Sequence, residues 1–212
     1  MRIKVKICGI TNWKDAKTAI GAGADALGFN FYTRSPRRIA VSHAKEIIRR
    51  LPSHVTAVGV FVNGSVRTIL GIAHTTNLGM LQLHGEESPA TVERLAREYP
   101  VIKAFRVGSR FRAKELKRYP GAVGFLLDSY DVKRRGGTGK RFDWNVARDA
   151  KRYGPVILAG GLRAENVADA IRQVKPFGLD VCSGVETRPG EKDEKKVKQL
   201  MARVKRACRG DA

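Results

Sequence analysis

The amino-acid sequence predicts an α/β protein in which eight parallel strands close into a single-domain (β/α)8 TIM barrel spanning residues 1–212. Short β-rich runs alternate with longer amphipathic stretches along the whole chain. There are eight such pairs at about 26 residues apiece, the size of a compact barrel repeat. No Pro/Gly/Ser-rich linker or low-complexity tract divides them. Alternation alone also fits an open parallel sheet, and the count of eight favours the closed barrel.

The predicted strands are short runs rich in β-branched and aliphatic residues. They are Arg2–Cys8, Ala26–Phe31, Thr56–Val62, Met80–Leu83, Val101–Arg106, Ala122–Asp128, Pro155–Leu158 and Leu179–Cys182. The stretches between them have apolar residues at helical spacing. We predict helices over Trp13–Ala22, Ser42–Arg50, Ser65–His74, Pro89–Glu98, Arg112–Lys117, Trp144–Arg152, Ala164–Val174 and Glu194–Ala207. Capping residues agree with three of these starts: Asn12, Ser88 before Pro89, and Asp143.

Composition narrows the class of partner. With 42% hydrophobic and 29% charged residues, the chain can bury a core. The formal net charge of +21 points to an anionic partner, which could be nucleic acid, a membrane surface or a phosphorylated metabolite. Lys and Arg are spread over the predicted helices, as on a solvated surface. Because only 7% of residues are aromatic and no RNP-like or helix-turn-helix pattern occurs, we expect no specific nucleic-acid partner.

Cysteine usage and the absence of long apolar runs predict a cytoplasmic protein. The three cysteines, Cys8, Cys182 and Cys208, form no C-x-x-C motif, which favours a reducing compartment without disulfides. The first ten residues alternate charged and aliphatic side chains, unlike a signal peptide. No run approaches the ~20 apolar residues of a membrane helix. We therefore expect no membrane contact.

Function in a parallel α/β architecture collects where strands end and the following loops begin. In the first strand Lys4, Lys6 and Cys8 share one face, opposite an aliphatic face that should pack under the helices. The same alternation aligns Asp128 with the inward face of the sixth strand. A lone cysteine is usually a small buried hydrophobe, and a lone aspartate at a strand end is usually a turn or cap residue. Facing one barrel mouth together, Cys8 and Asp128 indicate acid–base chemistry.

Lys6 leaves two interpretations open. It lies two residues before Cys8 on the same face and could lower the pKa of that thiol. Alternatively, Asp180 on the polar face of the eighth strand could neutralise Lys6 in a buried ion pair.

Two glycine-containing loops predict a phosphate site. Gly160 and Gly161 follow the seventh strand, and Ser183 and Gly184 follow the eighth. Loops in these two positions are the usual phosphate site of such barrels, because their backbone N–H groups can approach an anion. Each loop alone could be a tight turn, and the occurrence of both favours phosphate.

The glycine-rich run after the sixth strand, residues 135–140, superficially resembles a P-loop. Arg134 stands where the Walker pattern has glycine, and Arg141 stands where it has Ser or Thr. A mobile loop that closes over bound substrate is the better prediction.

The loop after the second strand contains three arginines, Arg34, Arg37 and Arg38, around Pro36. One guanidinium could hold a carboxylate in a bidentate manner, and an ordinary basic loop is the alternative. Metal-binding patterns such as H-E-x-x-H or a Cys/His cluster are absent from the sequence, so we expect no metal site. The remaining histidines are expected on the surface: His43, His54 and His74.

Several motifs together resemble the phosphoribosylanthranilate isomerase family from one end of the chain to the other. They include K-I-C-G-I-T from Lys6, S-P-R from Ser35, Q-L-H-G-E from Gln82, G-T-G-K from Gly137, A-G-G-L from Ala159 and S-G-V-E from Ser183. The resemblance implies an Amadori rearrangement of N-(5-phosphoribosyl)anthranilate to a carboxyphenylamino deoxyribulose phosphate. Such a reaction needs no cofactor.

The resemblance also implies roles for individual residues. Cys8 matches the general base that removes the C2 proton, and Asp128 matches the general acid that protonates the leaving ring oxygen. Arg37 matches the arginine at the anthranilate carboxylate, and His84 lines the pocket. The segments implied around the phosphate contain Gly137, Gly139, Gly160, Gly161, Ser183 and Gly184. Monomer and homodimer both remain open.

Other phosphosugar barrel enzymes are the nearest alternatives. A histidine-pathway aminoaldose isomerase would be expected to have an aspartate where Cys8 stands. An indoleglycerol phosphate synthase needs a catalytic lysine, which Lys6 or Lys103 could supply only awkwardly.

Overall fold

Eight parallel strands close into a barrel in the computed structural model, which describes residues 2–108, 111–128 and 144–209. The strands are β1 (Lys4–Cys8), β2 (Ala26–Asn30), β3 (Thr56–Phe61), β4 (Met80–Leu83), β5 (Val101–Arg106), β6 (Gly124–Asp128), β7 (Val156–Ala159) and β8 (Gly178–Val181). Each pairs with its neighbours in chain order, and β1 pairs with β8, with Ile7 opposite Val181. This last pairing closes the sheet, so the predicted (β/α)8 barrel is confirmed.

Seven α-helices lie within the described residues. They are α1 (Trp13–Ala22), α2 (Val41–Ile48), α3 (Val66–Thr76), α4 (Pro89–Ala96), α5 (Trp144–Ala150), α6 (Val167–Val174) and α7 (Glu194–Arg209). The predicted caps Asn12 and Ser88 are confirmed, because each side chain accepts a hydrogen bond from the third backbone N–H of its helix. No helix in the described part of the chain is long and apolar enough to cross a membrane.

The helical stretch predicted over Arg112–Lys117 is present, but it is not an α-helix. This connection is a 3-10 helix over Ala113–Arg118. Pro120 disfavours helical geometry at the residue before it, and the segment is too short for several α-helical turns. The Arg112 backbone N–H donates to the Glu115 carboxylate at 3.0 Å, which closes the first turn.

A short antiparallel hairpin after β8 was not predicted. It consists of β9 (Glu186–Arg188) and β10 (Glu191–Lys192). Gly190 turns the chain between them in the left-handed region, with φ +84°. Two strands of three and two residues, rich in charge, have none of the alternation by which longer strands are recognised.

The core is divided by the barrel wall. The larger cluster lies between strands and helices and contains Ile3, Val5 and Ile7 of β1. A smaller cluster fills the barrel interior and contains Leu126 of β6. Because the neighbours of Leu126 on β6 belong to the outer cluster, Asp128 has the inward parity of Leu126. The predicted facing of both strands is therefore confirmed.

Candidate active site

Cys8 ends β1 at the carboxyl-terminal mouth of the barrel and is buried. Gly9 and Ile10 donate backbone hydrogen bonds to the carbonyl of Gly28 on β2, each at 3.0 Å, which fixes the exit of the chain. A Cβ at Gly28 would lie 2.7 Å from Cys8 Sγ and 2.9 Å from Lys6 Cε. The thiol and the lysine stem therefore pack directly against the β2 backbone, which explains the glycine.

Lys6 and Asp180 form a buried ion pair across the β1–β8 seam. Lys6 Nζ lies 2.8 Å from Asp180 Oδ1, and the side chains are 6% and 7% exposed. Burial raises the pKa of Asp180 to about 6 against the opposing effect of Lys6. Burial alone would lower the pKa of Lys6, but Asp180 and Cys8 raise it, so the ammonium stays charged. Of the two interpretations left open for Lys6, the ion pair is present, and Lys6 also acts on the thiol.

The surroundings of the Cys8 thiol lower its pKa and favour the thiolate. A hydrogen bond with the Cys182 side chain is the main cause that lowers its pKa well below the ordinary value, and Lys6 and Lys192 add to it against the effect of burial. The same hydrogen bond, together with burial, raises the pKa of Cys182. Cys8 is therefore the thiol of this pair that ionises, and the Cys182 thiol, which also lies 3.8 Å from Glu186 Oε1, stays neutral.

The hairpin after β8 contributes charged residues that sequence reasoning missed. Lys192 Nζ donates to the Cys8 carbonyl at 2.5 Å and to Glu186 Oε1 at 2.8 Å. Glu186 in turn accepts hydrogen bonds from Arg37 Nε and Nη2 at 2.9 and 2.6 Å. The Glu186 side chain is 4% exposed and that of Arg37 is 22% exposed. Of the three arginines in the loop after β2, Arg37 is the one turned inward, whereas the others are exposed.

Asp128 ends β6 and contacts His84, which follows β4. His84 Nε2 lies 3.3 Å from Asp128 Oδ2, and His84 Nδ1 lies 2.9 Å from Gln82 Nε2. The imidazole therefore bridges the Gln82 amide and the Asp128 carboxyl group through its two ring nitrogens. Gln82 is buried, so it holds the imidazole from within the barrel. His84 also acts electrostatically on Asp180, which connects this side of the mouth to the Cys8 side.

The loops after β7 and β8 lie against each other. Gly160 and Gly161 have φ of +88° and +63°, a backbone that favours glycine. A Cβ at Gly184 would lie 1.9 Å from the Leu162 carbonyl oxygen, so the two loops touch backbone to backbone. The Asn166 side chain ties the first loop by donating to the Gly161 carbonyl at 2.9 Å. The four predicted residues of these two loops, Gly160, Gly161, Ser183 and Gly184, are therefore brought together, whereas the predicted Gly137 and Gly139 lie outside the described residues.

The surface histidines behave as predicted. His43, His54 and His74 are exposed, and His74 pairs with Glu98 at 3.2 Å.

Lys103 is buried and its ammonium contacts Glu87 Oε2 at 3.0 Å as well as the carbonyls of Leu83, Gly85 and Ala104.

Comparisons with known proteins identify the family. The model of the family described as N-(5'-phosphoribosyl)anthranilate (PRA) isomerase matches residues 5–203. The N-(5'-phosphoribosyl)anthranilate isomerase of Trichlorobacter lovleyi is 48% identical over 206 residues, which cover 97% of this chain and 99% of that protein. The crystal structure of the Thermotoga maritima phosphoribosyl anthranilate isomerase has a TM-score of 0.87 at 40% identity and covers 96% of this chain and 99% of that chain.

A further solved relative carries a ligand. It is a phosphoribosyl anthranilate isomerase in complex with reduced 1-(o-carboxyphenylamino)-1-deoxyribulose 5-phosphate, 39% identical, with a TM-score of 0.83 and coverage of 96% of this chain and 99% of that chain. Matched over nearly its whole length in sequence and in fold, the chain belongs to the N-(5'-phosphoribosyl)anthranilate isomerase family.

Proposed function

We propose that this chain, an isomerase of tryptophan biosynthesis by its family, uses Cys8 as general base and Asp128 as general acid. The reaction is the Amadori rearrangement of N-(5'-phosphoribosyl)anthranilate to 1-(2-carboxyphenylamino)-1-deoxyribulose 5-phosphate. The observation that best supports the role of Cys8 is its thiol, buried at the mouth with a lowered pKa and with Lys6, Lys192 and Arg37 around it. A thiolate held in this way is a base at neutral pH.

Cys8 and Asp128 take part in three proton transfers, and the final tautomerisation moves the C2 hydroxyl proton to C1. Asp128 enters protonated and donates to the furanose ring oxygen as the C1–O bond breaks, which yields an open-chain iminium ion. Cys8 removes the C2 proton, and the resulting enolamine tautomerises to the aminoketose. Transfer of one proton from Cys8 back to Asp128 restores both groups. Contact with His84 supports this role for Asp128, because it limits the orientations of the carboxyl group.

The two anionic groups of the substrate are proposed to bind at two sides of the mouth. The phosphate is proposed to sit on the loops containing Gly160, Gly161, Ser183 and Gly184, completed by Gly137 and Gly139. The positive φ values of the first two and the backbone contact at Gly184 support a concave, N–H-lined surface there. Arg37 is proposed to bind the anthranilate carboxylate. Glu186 fixes one edge of its guanidinium, and an arginine has five N–H donors to share between two carboxylates.

Two alternatives are less well supported. A histidine-pathway isomerase would be expected to have an aspartate base in place of Cys8. An indoleglycerol phosphate synthase would need an available lysine, but Lys103 is held by one carboxylate and three carbonyls, and Lys6 is paired with Asp180.

The proposal extends to the form of the working protein. We propose one domain over residues 1–212, working in the cytoplasm as a monomer or homodimer on a phosphorylated small molecule. The closed strand order supports one domain, and the three cysteines, all within the described residues, form no disulfide. The Thermotoga maritima relative is described as dimeric. Light scattering of the purified chain distinguishes the two assemblies.

The test is turnover of freshly generated N-(5'-phosphoribosyl)anthranilate, followed by the loss of its fluorescence. We expect Cys8→Ser and Asp128→Asn each to lower kcat by about 10²–10⁴-fold, the usual contribution of one positioned acid or base. Cys208→Ser and Asp169→Asn, which change the same residue types on α7 and α6, should keep the wild-type rate. An inactive wild type would refute the function, and near-full activity of Asp128→Asn would refute the acid role alone.

A further inference from the structure

Lys192 reaches the base from a distant part of the chain. It lies on β10, and its backbone N–H donates to Asp15 Oδ2 at 2.8 Å. Asp15 is itself held by Asn12, which caps α1. The hairpin is therefore anchored to the start of α1, immediately after the Cys8 strand, and the Lys192 side chain emerges from a fixed point.

The Lys192 ammonium is enclosed and fully engaged. Its side chain is 0% exposed. It faces the Cys8 carbonyl oxygen at 2.5 Å, Glu186 Oε1 at 2.8 Å and Cys182 Sγ at 4.0 Å. An ammonium has three N–H donors, so each has a partner in this arrangement. Loss of the side chain would release the Cys8 main chain and remove a buried charge beside its sulfur.

The charged groups around the Cys8 sulfur balance only if the sulfur is anionic. The cluster around it contains five charged side chains and one thiol: Lys6, Arg37, Asp180, Cys182, Glu186 and Lys192. All except Glu186 act on the sulfur directly, and Glu186 is paired with Arg37 and Lys192. Three are cations and two are carboxylates, so a thiolate at Cys8 makes the cluster neutral. Without Lys192 the same thiolate would be an excess negative charge in a buried place, which is costly.

We propose that Lys192 is a positioning residue for the base: its ammonium holds the Cys8 main chain at the barrel mouth and supplies the countercharge of the Cys8 thiolate, without contact with substrate. Through Glu186, Lys192 is also tied to Arg37, so the base and the proposed carboxylate site share one rigid support. This inference rests on the proposed function only where it concerns turnover, since ionisation of Cys8 can be measured without substrate.

The experiment measures the rate of Cys8 alkylation by iodoacetamide as a function of pH, because only the thiolate reacts. Trypsin cleavage after Lys6 and Lys14 releases a peptide, residues 7–14, whose sole cysteine is Cys8, so mass spectrometry reads this site in the full chain. In Lys192→Met we expect the pH midpoint to rise by at least about one unit, equal to a tenfold slower reaction at a fixed lower pH. We expect kcat near neutral pH to fall about tenfold and recover at higher pH, with a smaller change in KM. Lys192→Arg should restore most of the wild-type midpoint.

Lys103→Met is the matched control. Lys103 is as enclosed as Lys192 and is also paired with a carboxylate, but no contact joins it to Cys8. This variant should lose thermal stability and keep the wild-type alkylation midpoint. An equal midpoint in Lys192→Met and wild type, with kcat reduced, would show a merely structural lysine and overturn the proposal.

Glu186→Gln tests the countercharge role by shifting the pH midpoint of Cys8 alkylation in the opposite direction. This variant keeps Lys192 in place, so the test remains possible if Lys192→Met fails to fold. Removal of one carboxylate leaves the cluster more positive, so the midpoint of Cys8 alkylation should fall. A midpoint that stays the same or rises would overturn the countercharge role. If wild type fails to convert N-(5'-phosphoribosyl)anthranilate while these midpoints move as expected, the proposed function fails and the inference about Lys192 stands.

Discussion

Replacement of Gly184 by alanine tests whether the loops after β7 and β8 bind the phosphate. The new Cβ would lie 1.9 Å from the Leu162 carbonyl oxygen and 2.9 Å from the Leu162 carbonyl carbon. Side-chain carbons do not approach oxygen closer than about 3 Å, so one backbone must move by roughly 1 Å, because neither contact is with a flexible side chain. We expect about 1–3 kcal/mol of lost stability from this overpacking. A displacement of that size at a binding loop should lower kcat/KM by on the order of 10²-fold.

The assay pairs steady-state kinetics with inhibition by inorganic phosphate. If the two loops bind the substrate phosphate, Gly184→Ala should raise KM and weaken phosphate inhibition together. Gly21→Ala is the control, since no atom lies within 4 Å of a Cβ there and the position is inside α1. That variant should be as stable as wild type or more so, by up to about 1 kcal/mol, with unchanged kinetics. A Gly184→Ala protein with wild-type KM and wild-type phosphate inhibition would refute the phosphate site.

Three further predictions concern the buried charges and thiols. Lys6→Met leaves the Asp180 carboxylate unpaired, so urea unfolding near pH 8 should show about 3–5 kcal/mol less stability. The loss should be smaller near pH 5.5, where Asp180 takes up a proton, because its pKa, about 6 with Lys6 present, rises further without the lysine. Cys8 and Cys182 directly follow Ile7 and Val181, the last residues that pair between β1 and β8, on strands ~4.8 Å apart. The oxidant diamide should therefore join these thiols with loss of two hydrogens and abolish activity, and dithiothreitol should restore it. Inactivation by diamide that persists in Cys182→Ser would contradict the assignment. Burial raises the pKa of Glu186, but hydrogen bonds from two cations bring it below its ordinary value, so its stabilisation is present near neutral pH and is lost as pH falls through the folded-state pKa. The unfolding free energies of wild type and Glu186→Gln should accordingly differ near pH 7 and converge near pH 3, and a constant difference would exclude this linkage.

Strand number, strand order and facing could be predicted because they depend on local periodicity. The alternation of Ile3, Val5 and Ile7 with polar residues was enough to turn Cys8 inward, and the β6 alternation did the same for Asp128. The Asn12 and Ser88 caps were predictable for the same reason, since each acts within one turn of its own helix.

Local periodicity failed where segments are short. The connection over Ala113–Arg118 has only six residues before the restriction imposed by Pro120, and a 3-10 helix satisfies its backbone. The β9–β10 hairpin has five residues in strands and no apolar alternation. Its stability comes from docking on Asp15 and on the buried Glu186–Lys192 pair, which no window of sequence displays.

Cys8 shows which properties of the site the sequence determines and which ones depend on the tertiary structure. By itself the sequence determined that Cys8 and Asp128 end inward faces of barrel strands and that glycine loops follow β7 and β8, because side-chain direction and turn chemistry are properties of neighbouring residues. Only the tertiary structure decided which charges surround the thiol. Lys6 meets Asp180 across 174 positions, and Lys192 meets the Cys8 carbonyl across 184. Barrel closure between β1 and β8 and the docking of the hairpin bring these partners together. The electrostatic potential at the Cys8 sulfur depends on distance and burial, and both exist only in the folded chain.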